Sequence, residues 1–62
     1  MSFSENLILL QVKNKVTNYR LAKEIGVHPT TIQNWRNGKQ PQLSHASKVA
    51  IFFGKTVDEL MK

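Results

Sequence analysis

The sequence predicts an all-α fold, a compact bundle of five helices forming a single domain over residues 1–62, and three observations carry that prediction. Apolar residues recur three and four positions apart along most of the chain, as in Phe3, Leu7 and Leu10 or Ile32 and Trp35, which is the spacing of one helix face. No segment alternates with the two-residue period of a strand, and no repeat, low-complexity tract or linker is visible. The chain has 62 residues and no cysteine, so neither disulfides nor thiolate metal sites can supplement its small core. A helical bundle is the economical solution.

The helices fall at 3–14, 18–25, 29–37, 43–53 and 57–61. Ser2 or Ser4 can cap the first, which places Phe3, Leu7 and Leu10 on its core face. Ile8, Leu9 and Val12 lie elsewhere on the wheel, so something besides the core is expected to cover them. Lys13, Asn14 and Lys15 end this helix with cations near its negative pole, Val16 packs inward, and Thr17 caps the second helix. Leu21, Ala22 and Ile25 form the second core face. Gly26 stops it because glycine takes positive φ without a Cβ penalty. Val27 drops between the helices, and Pro29 suits the first turn of the third, where its missing N–H is no loss.

Ile32 and Trp35 are the inward face of the third helix, which makes Trp35 a core residue rather than a base-stacking one. Residues 37–41 read as helix stop and loop. The fourth helix has Leu43, Ala46, Val49, Ala50 and Phe53 as its core face, with Ile51 nearly opposite and His45 exposed. Gly54 ends it. Thr56 caps the fifth, with Asp58 and Glu59 at its positive pole and Val57 and Leu60 turned inward.

Nine Lys and Arg against four Asp and Glu give a net charge of +5, a balance that favours a polyanionic partner through counterion release. An enzyme is not expected: the acids are scattered, there is no glycine-rich phosphate loop, and so short a chain encloses no substrate pocket. His28 and His45 are too few for a metal site, and no cofactor or small-molecule ligand is expected. The longest apolar runs, 7–10 and 49–53, are far too short to cross a membrane, and Glu5 stands where a signal peptide would be basic. A soluble, cytoplasmic protein is expected.

Residues 20–38, RLAKEIGVHPTTIQNWRNG, describe two short helices joined by a tight turn, a helix-turn-helix. The outer face of the second helix carries Thr30, Thr31, Gln33, Asn34 and Asn37, hydroxyls and amides without an acid, which a major groove can accept. Thr17-Asn18, Leu21-Ala22, Gly26-Val27, Ile32, Trp35-Arg36 and Gly38 fall in the register of the Cro and phage-repressor type of helix-turn-helix family, also called xenobiotic-response-element-like. The chain resembles that family nearly end to end, since Val49-Ala50, Phe53-Gly54 and residues 56–60 look like its last two helices. The fold implied is that of lambda-repressor-like DNA-binding domains.

By the resemblance, the base-facing positions are Pro29, Thr30 and Asn34, with His28 beside them and Thr31 and Gln33 on the flanks. Asparagine binds adenine bidentately, and a threonine methyl meets a thymine methyl. Asn18, Asn37 and Lys39 flank that face and are the phosphate set. Members of the family often pair a basic residue where Gln11 stands with a Glu where Arg36 stands. That ion pair cannot form here; a Gln11 to Arg36 hydrogen bond is possible, and Arg36 is otherwise free to reach a phosphate.

The function implied is a sequence-specific regulator of double-stranded DNA, a repressor of the Cro type that occupies a palindromic operator as a homodimer. In the family the segment between the last two helices commonly lies at the dimer axis, so Phe52, Val57 and Met61 are the expected twofold contact; the alternative is that Phe52 folds against the last helix within one monomer. The twofold contact is small in area, which makes the dimer weak in free solution and stronger on the operator. The alternative is a protein-interaction module on the same scaffold, an antitoxin or antirepressor partner, supported by the surplus apolar residues of the first and fourth helices.

Overall fold

Five helices form in the computed structural model, which describes residues 2–62: α1 (Phe3–Asn14), α2 (Asn18–Ile25), α3 (Pro29–Arg36), α4 (Leu43–Phe53) and α5 (Val57–Met61). Among the described residues there is no strand. The predicted boundaries hold except at the end of the third helix, where Asn37 is the C-cap rather than the last helical residue.

Local chemistry sets most of these ends. Ser2 and Glu5 make a reciprocal capping box: the Ser2 hydroxyl accepts the Glu5 N–H at 3.2 Å, and the Ser2 N–H donates to Glu5 Oε1 at 3.1 Å. Ser2, not Ser4, is therefore the cap of α1. Ser4 Oγ instead donates to the Arg36 carbonyl at 2.7 Å, satisfying an acceptor at the end of α3. Thr56 and Glu59 repeat the box on α5. Asn6 closes the other end of α5 by donating to the Leu60 carbonyl at 2.6 Å and that of Lys62 at 2.9 Å.

Between α2 and α3, Gly26 takes φ +88°, and the N–H groups of Gly26 and Val27 both return to the Ala22 carbonyl, at 2.8 and 3.0 Å. That is the tight turn the sequence requires there. Lys15 ends α1 in the left-handed region (φ 56°), a conformation that costs a non-glycine residue roughly 1–2 kcal/mol. The turn is held by the Val16 N–H, which donates to the Gln11 carbonyl at 2.9 Å.

Each helix contributes to one core. Phe3 and Leu7, then Leu21, Ala22 and Ile25, Ile32 and Trp35, Ala46, Val49 and Ala50, and Leu60 are all buried. Leu10, Val16, Val27, Phe52, Phe53 and Val57 pack against them while keeping part of their surface in water. Phe3 meets Trp35 edge to face at 6.0 Å, the favoured geometry for an aromatic pair. The chain packs α2 on α3, α1 on α3 and α5, and α4 on α2 and α5.

Two expectations for α4 require correction. Leu43 is 73% exposed and takes no part in the core, because it stands at the first position of the helix and the helix reaches the core only one turn later, at Ala46. His45 is not an exposed residue but half-buried, with its ring 5.7 Å from that of Trp35. Imidazole, not leucine, covers that edge of the indole. Ile51 is exposed as expected, at 78%.

Candidate nucleic-acid interface

α3 is placed by its two ends. His28 is the N-cap: its Nδ1 accepts the Thr30 N–H at 3.1 Å and lies 3.0 Å from Thr30 Oγ1. Since Nδ1 is the acceptor for the backbone, the neutral ring carries its proton on Nε2. Pro29 follows at the first helical position. Ile32 and Trp35 anchor the inner face, and His28, Thr30, Gln33, Asn34 and Asn37 are exposed on the rest, with Pro29 and Thr31 half-exposed. No acid occurs in α3.

These side chains are not equally available. The Thr30 hydroxyl is engaged with His28, which leaves its methyl as the group most suited to an apolar contact. Asn34 makes no side-chain hydrogen bond among the described residues, although its carbonyl accepts from the N–H groups of Asn37 and Lys39 at 3.2 and 3.0 Å. Of the predicted base-facing amides, Asn34 is the one whose oxygen and nitrogen are both open. Lys39 is exposed in the loop after α3.

Five polar residues are joined. Arg36 Nη1 donates to Gln11 Oε1 at 2.7 Å, the bond that can replace the ion pair expected of the family. Gln11 Nε2 donates to Asn18 Oδ1 at 2.9 Å and to the Val16 carbonyl at 3.2 Å. Asn18 Nδ2 donates to Gln33 Oε1 at 3.0 Å, and Gln33 Nε2 to Asn37 Oδ1 at 3.1 Å. Gln11 is buried at 3% exposure, the one polar residue in the core, and no buried side-chain nitrogen or oxygen among the described residues lacks a partner. Sequence reasoning placed Asn18, Gln33, Asn37 and Arg36 near the interface but did not connect them. The available signal was Gln11 itself, a polar residue four positions after Leu7 on the core face of α1.

Of the residues expected at a twofold contact, Phe52 stands near the end of α4, and Val57 and Met61 are the first and last residues of α5. Phe52 and Val57 are half-buried against the core, Phe52 stands edge to face with Phe53 at 5.0 Å, and Met61 is 43% exposed. Among the described residues no group of His, Asp and Glu could hold a metal ion, and no helix is long and apolar enough to cross a membrane.

Comparison with known proteins gives the same architecture. The chain resembles a crystal structure of FeII HppE in complex with substrate, with a TM-score of 0.88 and 25% identity over 98% of this chain and 35% of that one. A structure of CoII HppE in complex with substrate matches at TM-score 0.86 and 26% identity, over 97% of this chain and 34% of that one. This chain thus spans about a third of the length of those solved chains. No curated protein matches it. The helix-turn-helix family model matches residues 8–60, taking in α2, the turn, α3, α4 and nearly all of α5. Because that match covers most of the chain, the chain belongs to the helix-turn-helix family of the Cro and phage-repressor type.

Proposed function

We propose that this chain is a sequence-specific DNA-binding transcriptional regulator, a repressor that lays α3 in the major groove of a palindromic operator and blocks transcription by occupying it. The supporting observation is the exposed face of α3, which offers amides and hydroxyls without an acid, keeps Asn34 open at both ends, and adjoins Lys39 in a chain of net charge +5. Asn34 and Thr30 read bases, His28, Pro29, Thr31 and Gln33 line the groove around them, and Asn18, Asn37, Lys39 and Arg36 address phosphates. The work is done by binding, without catalysis, metal or small-molecule ligand.

Dimensions argue for two copies. The longest extent of the Cα trace is 24 Å, less than the roughly 34 Å that separates successive major-groove faces, so one copy reads one half-site. Phe52, Val57 and Met61 form the twofold contact in this reading. Selection of bound sites from random duplexes tests it directly: recovery of paired half-sites about one DNA turn apart is expected, and retention without any sequence preference would defeat it.

One observation favours a second reading. Leu9 is 56%, Val12 70% and Ile51 78% exposed, apolar surface on α1 and α4 that DNA has no use for. It suits a module that binds another protein, as an antitoxin or antirepressor partner does. A gel shift with the chain alone separates the two, since specific retention without a partner supports the repressor.

A further inference from the structure

We propose that Gln11, itself buried, is a positioning residue that sets the polarity of the amides of Asn18, Gln33 and Asn37 on the DNA-facing surface, and so fixes which end of Gln33 offers the donor and which the acceptor to a base edge. The inference deepens the DNA-binding reading and rests on it. Its basis is the direction in which the polar chain runs.

A guanidinium only donates and a peptide carbonyl only accepts. Arg36 Nη1, 2.7 Å from Gln11, therefore requires oxygen at that end of the Gln11 amide, and the Val16 carbonyl, 3.2 Å from the other end, requires nitrogen there. Two anchors of opposite kind orient one side chain. Gln11 Nε2 then has its second hydrogen on Asn18, which must present its oxygen, and the same logic turns Asn18 Nδ2 to Gln33 Oε1 and Gln33 Nε2 to Asn37 Oδ1. Every link runs one way, from the core to the exposed face of α3.

What remains unengaged follows by counting hydrogens. Asn18 Nδ2 and Gln33 Nε2 each keep one N–H, and Asn37 Nδ2 keeps both. Each of the three oxygens also keeps a lone pair. The free N–H groups can give to phosphate oxygens beside Asn18 and Asn37, and to a purine N7, guanine O6 or thymine O4 opposite Gln33. A glutamine grips adenine by giving to N7 and accepting from N6. Gln33 has one N–H and one lone pair for this, but with its oxygen on the Asn18 side and its nitrogen on the Asn37 side it can offer them in one order only. It is a specificity-determining residue whose orientation, set from Gln11, decides which base edge it matches.

Gln11→Glu reverses the chain. A carboxylate still accepts from Arg36 but has no hydrogen to give, so Asn18 must turn its nitrogen toward residue 11, Gln33 must then give to Asn18, and Asn37 must give to Gln33. The ion pair with Arg36 offsets the lost bond to Val16, and the near-isosteric, uncharged Gln11→Met cuts the chain without charge should Gln11→Glu fold poorly. In the free protein, side-chain amide NMR should show the Asn18 NH2 close to the Gln33 methylenes in wild type and close to the residue 11 methylenes in Gln11→Glu. Site selection should show the preference for the base opposite Gln33 changing by about tenfold in Gln11→Glu, where the donor and acceptor ends of Gln33 are exchanged, and weakening in Gln11→Met. An unchanged Asn18 amide contact in folded Gln11→Glu overturns the polarity, and identical preferences in all three chains overturn the role in recognition. A wild-type chain that selects no site, with the amide contacts as stated, overturns the DNA reading instead.

Discussion

α3 and α4 are neighbours in sequence and both are short amphipathic helices, yet they are held in different ways. α3 is capped by His28 at its start, receives Ser4 on its last turn, and carries at Gln33 and Arg36 two links of the amide chain to α1 and α2. α4 begins after Gln42 with no side-chain cap and is held by apolar contact through Ala46, Val49 and Ala50, with Phe52 and Phe53 half-buried. Hydrogen bonds constrain direction, whereas apolar burial rewards area and is indifferent to orientation. The helix that must meet a fixed pattern of donors and acceptors has the directional restraints. The supporting helix does without them.

The largest expected effect tests whether α3 also needs its apolar anchor. Trp35 is buried against Phe3 and His45, and Trp35→Ala should cost about 3–5 kcal/mol, close to everything a domain of this size has. Loss of a cooperative melt by circular dichroism is expected. A melt near wild type would mean that the polar links alone hold α3.

On the α4 side, Phe52→Glu places a charge where a ring packs on the core and on Phe53, and should lower the melting temperature by the equivalent of about 1–3 kcal/mol. Met61→Glu, at a side chain outside the core, should leave the melt unchanged and remove the cooperative second step of operator binding. An intact second step would move the twofold contact elsewhere.

Base-reading and phosphate-binding residues separate in a titration against operator and random duplex. Asn34→Ala should lose about 1–3 kcal/mol on operator alone, whereas Lys39→Ala should weaken both and flatten the salt dependence by about one counterion. Equal losses on both duplexes for Asn34→Ala would remove Asn34 from base reading.

The contrast between the two helices also decides what a sequence can disclose. Gly26, Pro29, Thr17 and Thr56 act within a few residues of themselves, so the turn, the helix starts and the buried faces of α2 and α3 were legible. The chain Arg36, Gln11, Asn18, Gln33, Asn37 was not, apart from its first bond, which the resemblance suggested. Its members come from three helices, and no periodicity encodes which end of an amide is oxygen. Leu43 was misplaced because the period of a helix gives the face but not the turn at which that face first touches its neighbour. His45 was misread because a ring lying on another ring is a tertiary event.

Acid gives a smaller effect, at the two capping boxes. The Glu5 carboxyl is held below the usual range by the Ser2 N–H and then the Ser2 hydroxyl, and Glu59 likewise by Thr56. A depressed folded-state value means that the contribution is complete above the unfolded value, about 4.3, and is lost as pH falls through the folded one. Amide exchange should therefore change at the starts of α1 and α5 below about pH 4. Unaltered protection at both starts in that window would contradict the assignment.

The smallest effect is the sharpest on α4 itself. Leu43 and His45 are two residues apart, and hydropathy alone ranks leucine as the one that matters. The contacts rank them the other way: Leu43 is 73% exposed, while His45 covers Trp35 with its ring. Leu43→Ser removes apolar surface that is already in water, and should change stability by less than about 0.5 kcal/mol. His45→Ser opens an edge of the buried indole and gives up an aromatic contact of about 0.5–1.5 kcal/mol. Thermal melts of the two single variants and the double should show nearly the whole loss in His45→Ser, with Leu43→Ser adding nothing to it. A Leu43→Ser loss as large as that of His45→Ser would return Leu43 to the core and extend the apolar hold on α4 to its first turn.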